Sequence, residues 1–274
     1  MINIIKKISF YLLCISVAIL ICLPIYLMIK SSIEPSITRF NFPPKFIPQD
    51  IDFSSYINVI REVDIVNWIT NSFVVAMVSV AFVLAIAVPA AHAAALYKYS
   101  GKKFMMFFIL FTQMVPTPIM VVPMYVIFAK LNLINRLIGL IIVNGAFNLP
   151  FATWILIGFF SKIPREIIES AKIDGCSELG VFLRISVPIS KPILITVSAI
   201  TFFEVWNEFL FANTFISDGD KWLATVGLSS FIGQFSIDYQ SMMTATTLYL
   251  LPPLLIYFIL GRYIVQGIAT GYGK

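Results

Sequence analysis

The chain has 274 residues, of which 59% are hydrophobic and 12% charged, with a net charge of +5. Ordinary globular proteins carry about 25% charged residues, so this composition excludes a soluble domain and predicts an all-α polytopic membrane protein. The positive balance needs no nucleic acid, because basic residues gather in cytoplasmic membrane loops and no Lys/Arg run forms a nucleic-acid arm.

Lys6 and Lys7 open the chain before an apolar run that is too long for the apolar core of a signal peptide, and no small-x-small cleavage site follows it. A retained first transmembrane helix is expected there. Six runs reach the length of about 20 residues that a bilayer requires; they lie near 9–29, 71–96, 104–128, 136–158, 193–216 and 242–262. With the N-terminus inside, the inner segments hold 12 of the 19 basic residues and the outer segments 7. Both termini are therefore expected in the cytoplasm, in a bacterial or archaeal cell membrane. The domain division that follows is 1–30 for the first helix, 31–70 for an irregular, proline-rich outer segment, 71–265 for the membrane core and 266–274 for a cytoplasmic tail.

Inside the apolar runs, polar and helix-breaking residues mark a candidate pathway. The third run contains Thr112, Gln113 and Pro116, followed by Pro118; the fourth contains Asn144, Asn148 and Pro150. Each proline removes a helical donor, and the freed carbonyls need a neighbour or a wet cavity. In the fifth run, Thr201, Glu204, Asn207 and Glu208 fall on one face of a continuous helix. A carboxylate facing lipid costs about 2.5–3.5 kcal/mol on insertion scales, so this stripe should face protein or water. It suits a pathway for a polar solute or a seam between subunits.

Several chemistries are absent. Cys14, Cys22 and Cys176 have neither pairing nor metal-ligand spacing, and the sole histidine, His92, reads as a helix-end filler. The C-terminal GIATGYGK is not a phosphate-binding loop, because Ile268 stands at the first required glycine and no Ser/Thr follows Lys274. With no nucleophile elbow or metal constellation, no catalytic residues, cofactor-binding residues or metal ligands are expected on this chain.

The most polar stretch, EIIESAKIDGCSELGVFLRISVP, runs from Glu166 to Pro188 between the fourth and fifth runs. Pro164 suits a first helical position, Gly175 a left-handed helix end, and Ser177 the cap of a second helix with Glu178 in its first turn. Leu179, Phe182 and Ile185 form an apolar face, and Pro188 should stop the second helix. Two such short helices have little stability alone, and so imply a partner surface.

This stretch resembles the signature loop of binding-protein-dependent ABC importer permeases: Glu-Ala-Ala, three residues, Gly, nine residues, then Ile-x-Leu-Pro. Glu169, Ser170 and Ala171, then Gly175, then Ile185, Val187 and Pro188 stand in register, with Asp174 before the glycine. Ser170 replaces an alanine and Val187 a leucine. WITNSFVVA, TQMVP, WNEFLFA and RYIVQGIATGYGK are similar to the carbohydrate, maltose-type branch.

The resemblance implies a type I ABC importer permease fold of six transmembrane helices. It implies a second, homologous permease subunit, two ATPase subunits binding ATP with magnesium, and an extracytoplasmic sugar-binding protein. It makes the chain a non-catalytic subunit forming half the pathway for a sugar, and an oligosaccharide fits the branch. The loop 164–188 would couple to the ATPase through Glu169, Ser170, Ala171, Asp174, Gly175, Phe182, Ile185 and Pro188. The alternative is an ion- or proton-coupled secondary transporter with Glu204 and Glu208 carrying protons.

Overall fold

The structure, a computed structural model, describes residues 2–35, 46–48, 50–232 and 239–272, with side chains from residue 6 to residue 261 within those ranges. The elements are helices. We number them α1 (Ile2–Ile33), α2 (Ser54–Glu62), α3 (Ile65–Leu96), α4 (Lys102–Thr112), α5 (Thr117–Lys130), α6 (Leu137–Phe160), α7 (Arg165–Ile173), α8 (Glu178–Ile189), α9 (Lys191–Trp206), α10 (Leu210–Phe215), α11 (Ala224–Ser229) and α12 (Tyr239–Tyr272). The chain divides into two compact units: Met1–Val66 with Gly227–Leu251, and Asn67–Val226 with Pro252–Lys274.

Among the described residues, four helices are long and apolar enough to cross a membrane by themselves, and the number reaches six only if each of two bent pairs counts as one span. The expected third span is the pair α4–α5, bent by 98°, and the expected fifth belongs to the pair α8–α9, bent by 73°. The helix-breaking prolines of the third run thus do interrupt it. Pro116 adopts φ −62°, ψ 126° and ends the turn between the two pieces, and Pro118 sits in the first turn of α5, where a missing donor costs nothing. The fourth run is corrected the other way. α6 passes through Pro150 without a break, and Asn144 and Asn148 each donate to the carbonyl four residues back, at 2.9 Å.

In the first unit, α1 is exposed along its apolar length. Its C-terminal end is tied down: Lys30 pairs with buried Glu34 at 2.5 Å, and the Ser32 hydroxyl lies 2.7 Å from that of Tyr56. Ser55 donates to the Ser32 carbonyl, and the Thr244 hydroxyl lies 3.2 Å from that of Ser55. The outer segment therefore contains an ordered helix, α2, where irregular structure was expected. Asp52 accepts from both the backbone N–H and the hydroxyl of Ser54 at its start, which hold its carboxyl below the usual range. The proline-rich stretch 36–45 lies outside the described residues.

α3 begins at Ile65 rather than near 71, and from Asn67 onward it belongs to the second unit. Asn67 and Asn71 donate to the carbonyls of Asp220 and Trp222 at 2.6–3.1 Å, so polar side chains are satisfied inside the helix. α3, α6 and α9 share a core built from Val83, Ala87, Val88, Ala91, Leu156, Phe160, Ile193 and Val197. Alanines on α3 allow close approach, as small residues do between membrane helices.

Two glycines on α6 differ in what surrounds them. A Cβ on Gly139 would lie 2.3 Å from the Leu133 carbonyl oxygen, whereas one on Gly158 would meet nothing within 4 Å. Gly139→Ala is expected to destabilise by about 1–3 kcal/mol, and Gly158→Ala to be neutral or stabilising by up to about 1 kcal/mol. Thermal unfolding of the two variants in one detergent checks the contrast; equal midpoints would contradict it.

Candidate functional site

Two places concentrate polar chemistry within the second unit. The first is a cavity of about 470 Å³ lined by Thr112, Gln113, Val115, Thr117, Asn144, Phe147, Asn148, Phe151, Glu204, Asn207, Glu208 and Phe211. Of the residues expected on a pathway, Thr112, Gln113, Asn144, Asn148, Glu204, Asn207 and Glu208 are on that wall. Pro116 is not, although Val115 and Thr117 on either side of it are. Thr201 is 3% exposed and packs in the interior instead.

The cavity borders both interruptions of regular helix. The first is the α4–α5 bend. The second corrects the sequence reading, which placed Glu204 and Glu208 on one continuous helical face. α9 ends at Trp206, Asn207–Phe209 are irregular, and α10 begins at Leu210. Glu208 makes this possible. Its two carboxylate oxygens accept the N–H groups of Phe211 and Ala212, at 2.6 and 3.0 Å, and so satisfy free donors at the start of α10. Its carbonyl accepts the Thr225 hydroxyl at 2.7 Å. The far end of α10 is held by Asn135, whose backbone N–H donates to the Phe215 carbonyl and whose side-chain oxygen accepts from Ser217 and Asp218. Asn135 has φ +58°, a left-handed conformation that asparagine tolerates. Glu204, still on α9, is exposed, and its carboxylate has no hydrogen bond or ion pair among the described residues.

The second place is the hairpin of α7 and α8. Gly175, at φ +87°, turns the corner. The Cys176 N–H donates to Ala171 and the Gly175 N–H to Lys172, which is the paired-bond Schellman end of a helix. Ser177 caps α8 by accepting from Gly180 at 3.1 Å. Pro164 is the residue before α7 rather than its first, with ψ 133°. Pro188 does not stop the second helix. A π-turn over Phe182–Ser186 absorbs it, and the chain turns at Ser190.

The π-turn also alters which residues share a face. Ala171 and Val181 are buried in the helix core, with Phe182, Ile185 and Cys176 half-buried against it. Leu179, Leu183 and Ile173 face outward, together with Glu169, Ser170, Asp174, Gly175, Arg184 and Pro188. The expected stripe of Leu179, Phe182 and Ile185 is therefore split between inside and outside. A hollow at the corner is lined by Asp174, Gly175, Cys176, Ser177, Leu179, Gly180, Leu183 and Arg184.

Two contacts that sequence reasoning missed hold the hairpin to α3. His92 lies edge-on to Phe160 and Phe182, with ring centroids 5.5 and 4.9 Å away, and its Nε2 is 3.0 Å from the Ser186 hydroxyl. Glu178 receives an ion pair from Lys172 at 2.5 Å and a hydrogen bond from the Tyr97 hydroxyl, while the Lys172 ammonium lies 5.8 Å from the Tyr97 ring centre. Lys172 and Glu178 are six residues apart across the corner, so no helical spacing rule reveals them.

A model of the family described as "Binding-protein-dependent transport system inner membrane component" matches residues 84–270. The chain belongs to this family. A protein of Pyrococcus horikoshii named a probable ABC transporter permease is 32% identical over 80% of each chain. The diacetylchitobiose uptake system permease DasC of Streptomyces coelicolor is 28% identical over 92% of this chain and 91% of its own. Among solved structures, a chain of a bacterial ABC transporter that imports the acidic polysaccharide alginate superimposes with a TM-score of 0.81 at 22% identity, covering 95% of this chain and 96% of its own. That likeness fixes the fold as the type I importer permease arrangement. In this inner-membrane component the α7–α8 hairpin lies within the matched residues.

The Lys172–Glu178–Tyr97 clasp has a pH signature. The Lys172 bond, then the Tyr97 bond, hold the Glu178 carboxyl below its ordinary 4.5, and the bond to Glu178 pushes the Tyr97 hydroxyl up to about 12. A depressed carboxyl contributes stability above its unfolded value and loses it as pH falls through the folded one. Amide protection around residues 172–178, corrected for intrinsic exchange, should therefore fall as pH drops below about 4.5 and be low already at pH 7 in Glu178→Gln. A pH-independent protection pattern in both proteins would remove the clasp from the account.

Proposed function

We propose that the chain forms half of the translocation pathway of an ATP-driven, binding-protein-dependent sugar importer. It couples to a separate ATPase through the loop 164–188. Relatives named for diacetylchitobiose and arabinooligosaccharide transport support an oligosaccharide as cargo. The observation that carries the coupling is the hairpin itself: a rigid glycine corner presenting Ile173, Leu179 and Leu183 outward at 86%, 65% and 54% exposure. Three exposed aliphatic side chains on so short a structure call for a covering surface.

In this reading both termini are cytoplasmic, as the charge bias favours, and the domain division 1–30, 31–70, 71–265 and 266–274 stands as proposed. A second, homologous permease completes the pathway, two ATPase subunits hold ATP and magnesium, and an extracytoplasmic binding protein delivers the sugar. This chain binds no cofactor and catalyses nothing. Glu169, Ser170, Asp174, Gly175 and Pro188 contact the ATPase cleft from the outer side. Ala171, Phe182 and Ile185 act from within, by seating the hairpin on α3 and α6. Closure of the ATPase pair then moves the hairpin as a rigid body and switches the pathway between its two sides. Ion- or proton-coupled transport remains the alternative that uptake without ATP would favour.

Leu183→Asp should abolish co-purification of the ATPase in mild detergent while leaving membrane insertion intact. Gly175→Val should abolish sugar-stimulated ATP hydrolysis, because a β-branched residue disfavours φ +87°. Full sugar uptake by both variants would sink the coupling role of the hairpin.

A further inference from the structure

The cavity wall has a one-sided chemistry. Among its lining residues are two carboxylates and four carboxamides, and no lysine, arginine or histidine. The two acids are not equivalent. Glu208 is tied to backbone N–H groups through both oxygens, whereas Glu204 has no partner among the described residues. Three of the carboxamides are biased as well. Asn144, Asn148 and Asn207 each donate a side-chain N–H to the carbonyl four residues back, at 2.8–2.9 Å. Their carboxamide oxygens have no partner among the described residues. The Thr112 hydroxyl likewise donates into its own helix, to the Ile109 carbonyl. The polar atoms left for a ligand are therefore rich in acceptors, with Phe147 and Phe151 adding apolar faces.

We propose that this cavity admits neutral or amino-bearing saccharides and rejects anionic ones, and that Glu204 is the residue that sets the discrimination. The proposal rests on the import reading above and deepens it. Sugar hydroxyls and ammonium groups are donors, and they meet the free acceptors. The C–H faces of a pyranose meet the phenylalanine rings. A carboxylate, sulfonate or phosphate on the sugar would enter a cavity whose described lining offers no cation to pair with, and would meet the unpaired Glu204 carboxylate. Placing an unpaired like charge against an unwanted ligand is a direct source of specificity. The fold alone does not fix cargo charge, since the superimposable alginate importer takes an acidic polysaccharide.

The test uses the assembled transporter in nanodiscs of neutral lipid, without binding protein, so that the permease cavity alone is read. Maltotriose, the glucosamine trimer and trigalacturonate serve as neutral, cationic and anionic probes in saturation-transfer NMR. The anionic probe should bind about ten-fold more weakly than the neutral one, with a difference that shrinks as salt is raised. Glu204→Gln, which keeps shape and removes charge, should reduce that ratio at least about three-fold. Gln113→Lys, at an exposed cavity position whose side chain makes no hydrogen bond among the described residues, should raise binding of the anionic probe. Equal binding of the neutral and anionic probes by the unaltered protein would overturn the proposal. So would an unchanged ratio in both variants. ATP-driven uptake of a sugar with its binding protein is measured in parallel. Uptake together with no binding of any probe would leave the import reading standing and remove the cavity from it.

Discussion

A backbone inside a membrane must satisfy every N–H and C=O within the protein, because lipid offers no partner. The rest of this structure follows from that constraint. Regular helix is interrupted at Gln113–Pro116 and at Asn207–Phe209, and both interruptions border the same cavity. At the second, Glu208 supplies through its side chain the acceptors that the end of α9 cannot. The carboxylate that looked like pathway chemistry is first a structural cap, and it is the cap that allows the backbone to open there. Asn144, Asn148 and Asn207 obey the same constraint by returning a donor to their own helix, and their oxygens are left without a partner among the described residues.

The hairpin meets a different demand, since it must be rigid without a hydrophobic core of its own. It borrows one. Ala171 and Val181 join the core of α3, α6 and α9, and His92 fills the space between α3, α6 and α8 as an aromatic ring that also reaches Ser186. The Schellman corner at Gly175 and the Lys172–Glu178–Tyr97 clasp then fix the angle between two helices too short to hold it alone. Exposed aliphatic side chains remain on the outer rim because the inner ones are used for seating. The hairpin is therefore seated on the core of α3, α6 and α9 through packed side chains rather than hung on an unpacked loop.

The sequence by itself determined the membrane class, the apolar runs, the glycine corner, the Ser177 cap and the polar residues that gather around the cavity. These follow from composition, from length and from backbone preferences that act within a few residues. Tertiary structure alone decided that the fifth run breaks after Trp206 while α6 passes through Pro150, which face of α8 turns inward, and which acid is free. Glu204 and Glu208 are indistinguishable as letters four residues apart. They part because Trp206 ends α9, and the donors of Phe211 and Ala212 then claim one carboxylate and not the other. Likewise Leu179, Phe182 and Ile185 look like one stripe until a π-turn shifts their register against α3 and α6. Each of these outcomes depends on a contact between residues distant in the chain or on the path of the backbone at a break, and neither is carried by local periodicity.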